Sequence, residues 1–230
     1  MTAAQDTHAT PEGQDAYPVT DRNVPARYRD RATYDRESVH AILDAAYLCH
    51  LGFIRDGAPV VLPTLYGRVG ERLYVHGSTG SRPMRAAGMA DPGLKVCLTV
   101  THMDGLVLAR SAFNHSINFR SVVVQGVAHT VTDRDEKRMA LDALVEHVVA
   151  GRSKDSRPAN AKELAATAVL RLDLTDVSAK IRDDDADDDP EDLDLPHWAG
   201  VVPVTHGYTA PVPAADLAPG IELPDYLKAL

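Results

Sequence analysis

The chain has 230 residues, 44% of them hydrophobic, and a formal net charge of −9, which suits one sizeable domain with a core of its own. It holds no apolar run long enough to span a bilayer, and its start lacks the basic and apolar stretches of a signal peptide, so no membrane partner is expected and a cytoplasmic location is. Two cysteines, Cys49 and Cys97, are too few for a disulfide framework or a Cys-based zinc site and read as small buried hydrophobes in a reducing compartment.

Residues 1–25 are polar and aperiodic, the pattern of a disordered N-terminal arm. The main domain is expected over 26–182. A short helix follows Asp35 as N-cap, with Val39, Ile42, Leu43 and Ala46 on one face. Segments of β type then come in quick succession. Residues 47–55 lead into Asp56 and Gly57, a hairpin signal, 58–68 return, and 72–76 go out again. Residues 94–100 alternate, with Leu94, Val96, Leu98 and Val100 on one side. Residues 105–111 and 119–131 add more strand, the latter apolar on both faces, as inside a closed barrel or a dimer interface.

Asp133 and Glu136 start the most secure helix, which carries a stripe of Leu141, Leu144, Val145 and Val148 and stops at Gly151. Residues 167–175 read as a further strand. Nine acids and no base lie between Asp183 and Asp194, and they account for the whole net charge of the chain. The remainder is balanced and offers no basic surface for nucleic acid. The acidic block, 183–195, reads as a solvated loop without a catalytic task. A C-terminal extended segment and Pro-rich tail occupy 196–230. Six or more strands with short turns and few helices point to a β-barrel with helical decoration.

The chemistry concentrates around residues 73–85. A strand ends at Gly77, Ser78, Thr79 and Gly80, and Ser81 and Arg82 open a helix with Pro83 in its first turn. Backbone N–H groups of the turn, the hydroxyls of Ser78, Thr79 and Ser81, and the guanidiniums of Arg82 and Arg85 can together cradle a phosphate. Neither a P-loop nor a dinucleotide fingerprint is present. The ten histidines show no metal-ligand spacing, no metal is expected, and no catalytic side chain can be named. No hydrolase nucleophile elbow is present either.

This arrangement resembles the flavin-binding core of the pyridoxamine 5'-phosphate oxidase-like families. Aligning Ser81 and Arg82 on their Ser-Arg phosphate grip puts His76 and Gly77 on the preceding flavin-contacting pair. Residues 61–66 fall on the flavin-lining strand, and Ser121 falls where a flavin-contacting Gln sits. Pro83 replaces the family's phosphate-site Lys, with Arg85 as its substitute, and the oxidases' C-terminal Arg motif has no counterpart in the tail. The wording of residues 74–78 and 119–126 is closer to the nitroimidazole-resistance (NimA-like) branch.

The resemblance implies a mainly β fold, a six-stranded split β-barrel of the FMN-binding type that pairs as a homodimer. It implies FMN as cofactor, held by Val61, Leu62, Pro63, Thr64, Tyr66, Val75, His76, Gly77, Ser78, Ser81, Arg82, Arg85 and Ser121. The implied activity is an FMN-dependent oxidoreductase, taking electrons from NAD(P)H to a small organic acceptor, nitroaromatic in some members of the branch. A flavin- or haem-binding carrier or sensor without turnover is the alternative.

Overall fold

The structure is a computed structural model that describes residues 15–90 and 92–229. After a two-residue strand β1 (Ala32–Thr33), helix α1 (Arg36–Asp44) begins at the expected cap, where the Asp35 carboxylate accepts the Ser38 N–H at 2.7 Å. Its apolar face, Val39, Ile42 and Leu43, is buried. Strands β2 (Leu48–Arg55) and β3 (Ala58–Val69) form a hairpin about Asp56 and Gly57. The two turn residues have φ of 52° and 77°, as a two-residue turn matched to strand twist requires. Strand β4 (Arg72–Ser78), helix α2 (Arg82–Met89) and the long strands β5 (Leu94–Leu108) and β6 (Ser116–Thr130) follow. Helices α3 (Arg134–Val148) and α4 (Ala161–Ala166) precede β7 (Thr167–Asp173) and β8 (Asp176–Arg182). Strand β9 (Gly200–Pro203) and helix α5 (Asp225–Lys228) lie in the C-terminal segment.

All pairings are antiparallel, and six strands close a ring in the order β2, β3, β4, β7, β6, β5 and back to β2. This is the expected six-stranded barrel. Strand β8 adds to the outer length of β6, β1 adds to β8, and β9 covers the far end of β5. Alternation decides which side chains fill the barrel. Along β2, Cys49, Leu51 and Phe53 point in, whereas Leu48, His50 and Ile54 point out. Burial pushes the Cys49 thiol up to about 12, so it stays a neutral hydrophobe.

Three expectations are corrected. Residues 15–25 are not a loose arm: Ala16 bridges to Asp35, and Tyr17 is only 2% exposed. The Tyr17 hydroxyl donates to Glu71 at 2.8 Å and meets His40 Nε2 at 2.9 Å. Residues 1–14, the first part of that arm, lie outside the described residues. Second, the acidic block is not free. The Asp188 carboxylate accepts the N–H groups of Arg110 at 2.8 Å and Ser111 at 3.0 Å and pairs with the Arg110 guanidinium at 3.1 Å. Asp184 is tied to Arg31 and to Asn118. Third, α3 buries Ala140 and Leu144 while Val145 stays exposed, and Glu136 turns away from its cap to accept the Tyr74 hydroxyl at 2.9 Å.

Among the described residues, no helix is long and apolar enough to cross a membrane.

Candidate functional site

The site grows from a place where two barrel strands stop pairing. Strands β3 and β4 are joined only from Tyr66 opposite Val75 to Val69 opposite Arg72. Continuing that register would set Leu65 against His76, Thr64 against Gly77 and Pro63 against Ser78, but the strands part there. On its other edge β4 stays fully paired with β7 as far as Ser78, and β3 stays paired with β2 as far as Ala58. The barrel is therefore split between residues 58–65 and 76–78. Along the split, backbone groups on both edges have no ladder partner among the described residues, an exposed template for something that pairs with backbone.

Two buried polar atoms at this split have no hydrogen-bond partner among the described residues: His76 Nδ1 and Ser81 Oγ. Buried polar groups are nearly always satisfied, so each orphan marks a polar atom left open for a ligand. Burial also holds the His76 imidazole below its ordinary pKa, which favours the neutral ring. Ser81 is the N-cap of α2 but makes no capping bond, although capping is the usual task of a serine there. Gly77 fits a close approach. A Cβ there would lie 3.2 Å from Met84 Cε and 3.3 Å from Ser81 Oγ. Gly80 meets no such limit, with Ser78 Oγ at 3.7 Å from the position of its Cβ.

The turn's own N–H groups are consumed internally. Thr79 donates to the Ala166 carbonyl, Gly80 to Ser78 Oγ and Ser81 to the Ser78 carbonyl. This corrects the expected backbone cradle. The free donors are the Ser81 hydroxyl, the first-turn N–H groups of α2, and Arg82 and Arg85, which form no ion pair among the described residues. Both arginines line an open cleft of about 500 Å³ together with Arg55 and Asp56, at the tip of the β2–β3 hairpin. Sequence reasoning missed Arg55. The available signal was an arginine directly before the Asp-Gly turn.

The other expected site residues divide by strand alternation. Val61 and Pro63 face outward beside the split, whereas Leu62 packs against the core. Thr64 is half-buried at the parted edge. Tyr66 and Val75 belong to the core: Tyr66 is fully buried, donates its hydroxyl to the Leu43 carbonyl and stacks near His147. Their side chains support the site from behind. Ser121 lies on the same outward sheet face, but Pro63, His50, Thr99 and Val123 stand in successive strands of one row. Three strand spacings, roughly 14 Å, therefore separate the strand of Ser121 from that of Pro63. The structure does not bring Ser121 together with the rest.

A larger hollow of about 860 Å³ lies under the Pro-rich tail, and of its three charged members Arg152 and Asp155 are bonded to each other and to Tyr226. Among the described residues, no three His, Cys, Asp or Glu side chains gather as a metal site.

Residues 35–181 match the family model of the pyridoxamine 5'-phosphate oxidases, and the chain belongs to that family. Among solved structures it is similar to the flavocytochrome Anf3 from Azotobacter vinelandii, with 40% identity and a TM-score of 0.85 over 91% of this chain and 96% of that one. It is also similar to an FAD and haem binding protein from Mycobacterium smegmatis, with 40% identity and a TM-score of 0.81 over 86% of this chain and 96% of that one. A putative 5-nitroimidazole antibiotic resistance protein from Bacteroides thetaiotaomicron shares the fold, at 22% identity and a TM-score of 0.54 over 65% of this chain and 86% of that one. No curated protein matches the chain.

Proposed function

We propose that this chain is a flavin-binding redox protein that takes electrons from NAD(P)H and passes them to a small organic acceptor. The observation that carries the reading is the split between β3 and β4, flanked by His76 Nδ1 and Ser81 Oγ, which have no partner among the described residues, and followed in the chain by Arg82 and Arg85 at the head of α2. An isoalloxazine carries carbonyls and a ring N–H along one edge, so it can complete the strand edges at residues 63–65 and 76–78. His76 and Ser81 would donate to it or to its ribityl chain, and Arg82 and Arg85 would hold the phosphate. When bound, the flavin supplies hydride and electron transfer, while the protein sets orientation and access.

The names of the two relatives at 40% identity support the reading and add a second group: one is a flavocytochrome and the other binds FAD and haem. A haem beside the flavin would make the chain an intramolecular electron relay.

A homodimer also fits. The outward face of β2 and β3 leaves Leu48, Ile54, Val61 and Leu65 exposed, and a second copy would bury them. Ser121, too distant to share one flavin with Pro63 in a single copy, would then reach the flavin of its partner. The test of turnover is anaerobic mixing of the purified protein with NADH or NADPH, followed by a nitroaromatic acceptor. Bleaching of the flavin absorbance and its return on adding acceptor are expected. A flavin that no reduced nicotinamide bleaches would leave a carrier or sensor.

A further inference from the structure

Away from the split, three cations gather around one side chain. The Arg31 guanidinium lies 4.6 Å from the centre of the Tyr28 ring, the Arg27 guanidinium 5.4 Å and the Lys180 ammonium 5.4 Å. All three are within reach of the ring's quadrupole. Tyr28 itself is 52% exposed. Its backbone has φ 54° and ψ 55°, the left-handed region, where an aromatic residue is strained.

The charges are unequally compensated. Arg31 pairs with Asp184 at 2.9 Å. Among the described residues, Arg27 and Lys180 have no carboxylate partner, and the Lys180 ammonium donates only to the Arg27 carbonyl, at 3.4 Å. Like charges held around one ring repel each other, and the ring offsets only part of that. Strain and uncompensated charge thus coincide at one exposed point.

The cluster is also held in place from two sides. Antiparallel pairing sets Thr101, Ser121, Lys180 and Ala32 side by side on β5, β6, β8 and β1. Lys180 therefore projects from the same outward face as Ser121, whose hydroxyl donates to the Lys180 carbonyl at 3.3 Å. Arg27, Tyr28 and Arg31 come from the turn just before β1. The cations belong to two elements that the sheet brings together.

We infer that Arg27, Tyr28 and Lys180 form a subsite for the oxyanion of a small molecule, a phosphate monoester or a carboxylate. The Arg27 fork and the Lys180 ammonium share its oxygens, and the Tyr28 ring keeps both cations about a common centre. A long polyanion fits poorly, because the nine acids from Asp183 to Asp194 begin three residues after Lys180 and repel nucleic acid or an acidic protein. The subsite shares no residue with the β3–β4 split and is independent of the flavin reading.

The test is calorimetry of the full-length protein at low ionic strength with glycerol 3-phosphate, succinate and, as uncharged control, glycerol. At least one anion should bind saturably, once per chain, and glycerol should not; the tighter anion tells phosphate from carboxylate. Arg27→Gln and Lys180→Gln should each weaken it about tenfold, the loss of one charged hydrogen bond. Arg27→Lys should recover part of the loss. Tyr28→Gly removes ring and strain together. It should weaken the anion by a similar factor and leave the Tm within about 2 °C of wild type, as relief of the positive φ offsets the lost cation contacts. A lower Tm with anion affinity intact would make the ring structural only and overturn the subsite. So would no saturable binding of either anion, unchanged affinity in both Gln variants, or tighter binding of a DNA duplex than of either anion.

Discussion

Asp188 and Ser111 are joined by a 3.0 Å hydrogen bond from the Ser111 N–H to the Asp188 carboxylate, which pins the acidic block to the loop after β5. The same carboxylate accepts the Arg110 N–H and pairs with its guanidinium, and its side chain is 1% exposed. The backbone N–H groups of Arg110 and Ser111, followed by the Arg110 side chain, hold its carboxyl below the ordinary range. A carboxyl with a depressed folded pKa contributes stability that is complete above the unfolded value, about 3.9, and is lost as pH falls through the folded one. Asp188→Ala should therefore lower the Tm at neutral pH, and the difference from wild type should shrink on acidification below about pH 4. Replacing the exposed Asp183 or Asp185 instead should leave the Tm within about 1 °C, since surface changes away from such contacts are nearly neutral. Thermal melts of the three variants across pH decide it.

The segment 15–25 depends on Tyr17, which is buried against α1 and bonded to Glu71 and His40. The Arg36 guanidinium lies 4.3 Å from the centre of its ring. Burial raises the hydroxyl's pKa, so it remains a donor throughout the working range. Tyr17→Phe should cost about 1 kcal/mol, the net value of its hydrogen bonding. Tyr17→Ala should cost about 3 kcal/mol, for a truncated aromatic in the core. Chemical denaturation measures both, and limited proteolysis of Tyr17→Ala should cut near residue 25 before the barrel unfolds.

Much of this architecture was legible in the sequence because its signals are local. The Asp56–Gly57 hairpin, the Asp35 cap and the alternation of β5 each follow from a few adjacent residues. The Ser81 and Arg82 half of the site was legible for the same reason. What escaped depends on partners far along the chain. Tyr17 finds Glu71, Asp188 finds Arg110, and Arg55 lines one cleft with Arg82 only once the chain has folded. Composition marks residues 183–194 as solvated, and it holds no information about backbone N–H groups 77 residues away that capture one of those acids. Tyr66 shows the reverse error: motif alignment puts it in the site, and strand alternation turns it into the core.

His76 offers a pH signature. Its imidazole is held below the ordinary pKa by burial, so the unfolded chain binds a proton there before the folded one does. Stability should thus be complete above about pH 6.5 and fall as pH drops below it, levelling off under the folded pKa. His76→Gln should flatten that slope in cofactor-free protein. Part of the slope will remain, because His40 is depressed in the same direction, first by desolvation. An unchanged slope in His76→Gln would show that His76 is solvated in the folded state.

In the proposed site Arg82 would hold the flavin phosphate. Arg82→Ala should weaken FMN and FAD by about 10- to 150-fold, the equivalent of about 1.5–3 kcal/mol for a charged hydrogen bond. Riboflavin should bind both proteins equally, which separates a lost phosphate contact from general damage. Arg82→Lys should restore only part of the affinity, since it keeps the charge and loses the fork. Isothermal titration or flavin fluorescence quenching gives these ratios.

The most direct measurement is the visible absorption spectrum of the protein as purified, with mass spectrometry of what heat releases from it. The proposed reading predicts the two flavin bands and a released flavin, with a Soret band if a haem is also bound, as the name of the FAD and haem binding relative suggests for that protein. A colourless protein that also fails to bind added riboflavin, FMN or FAD would contradict it.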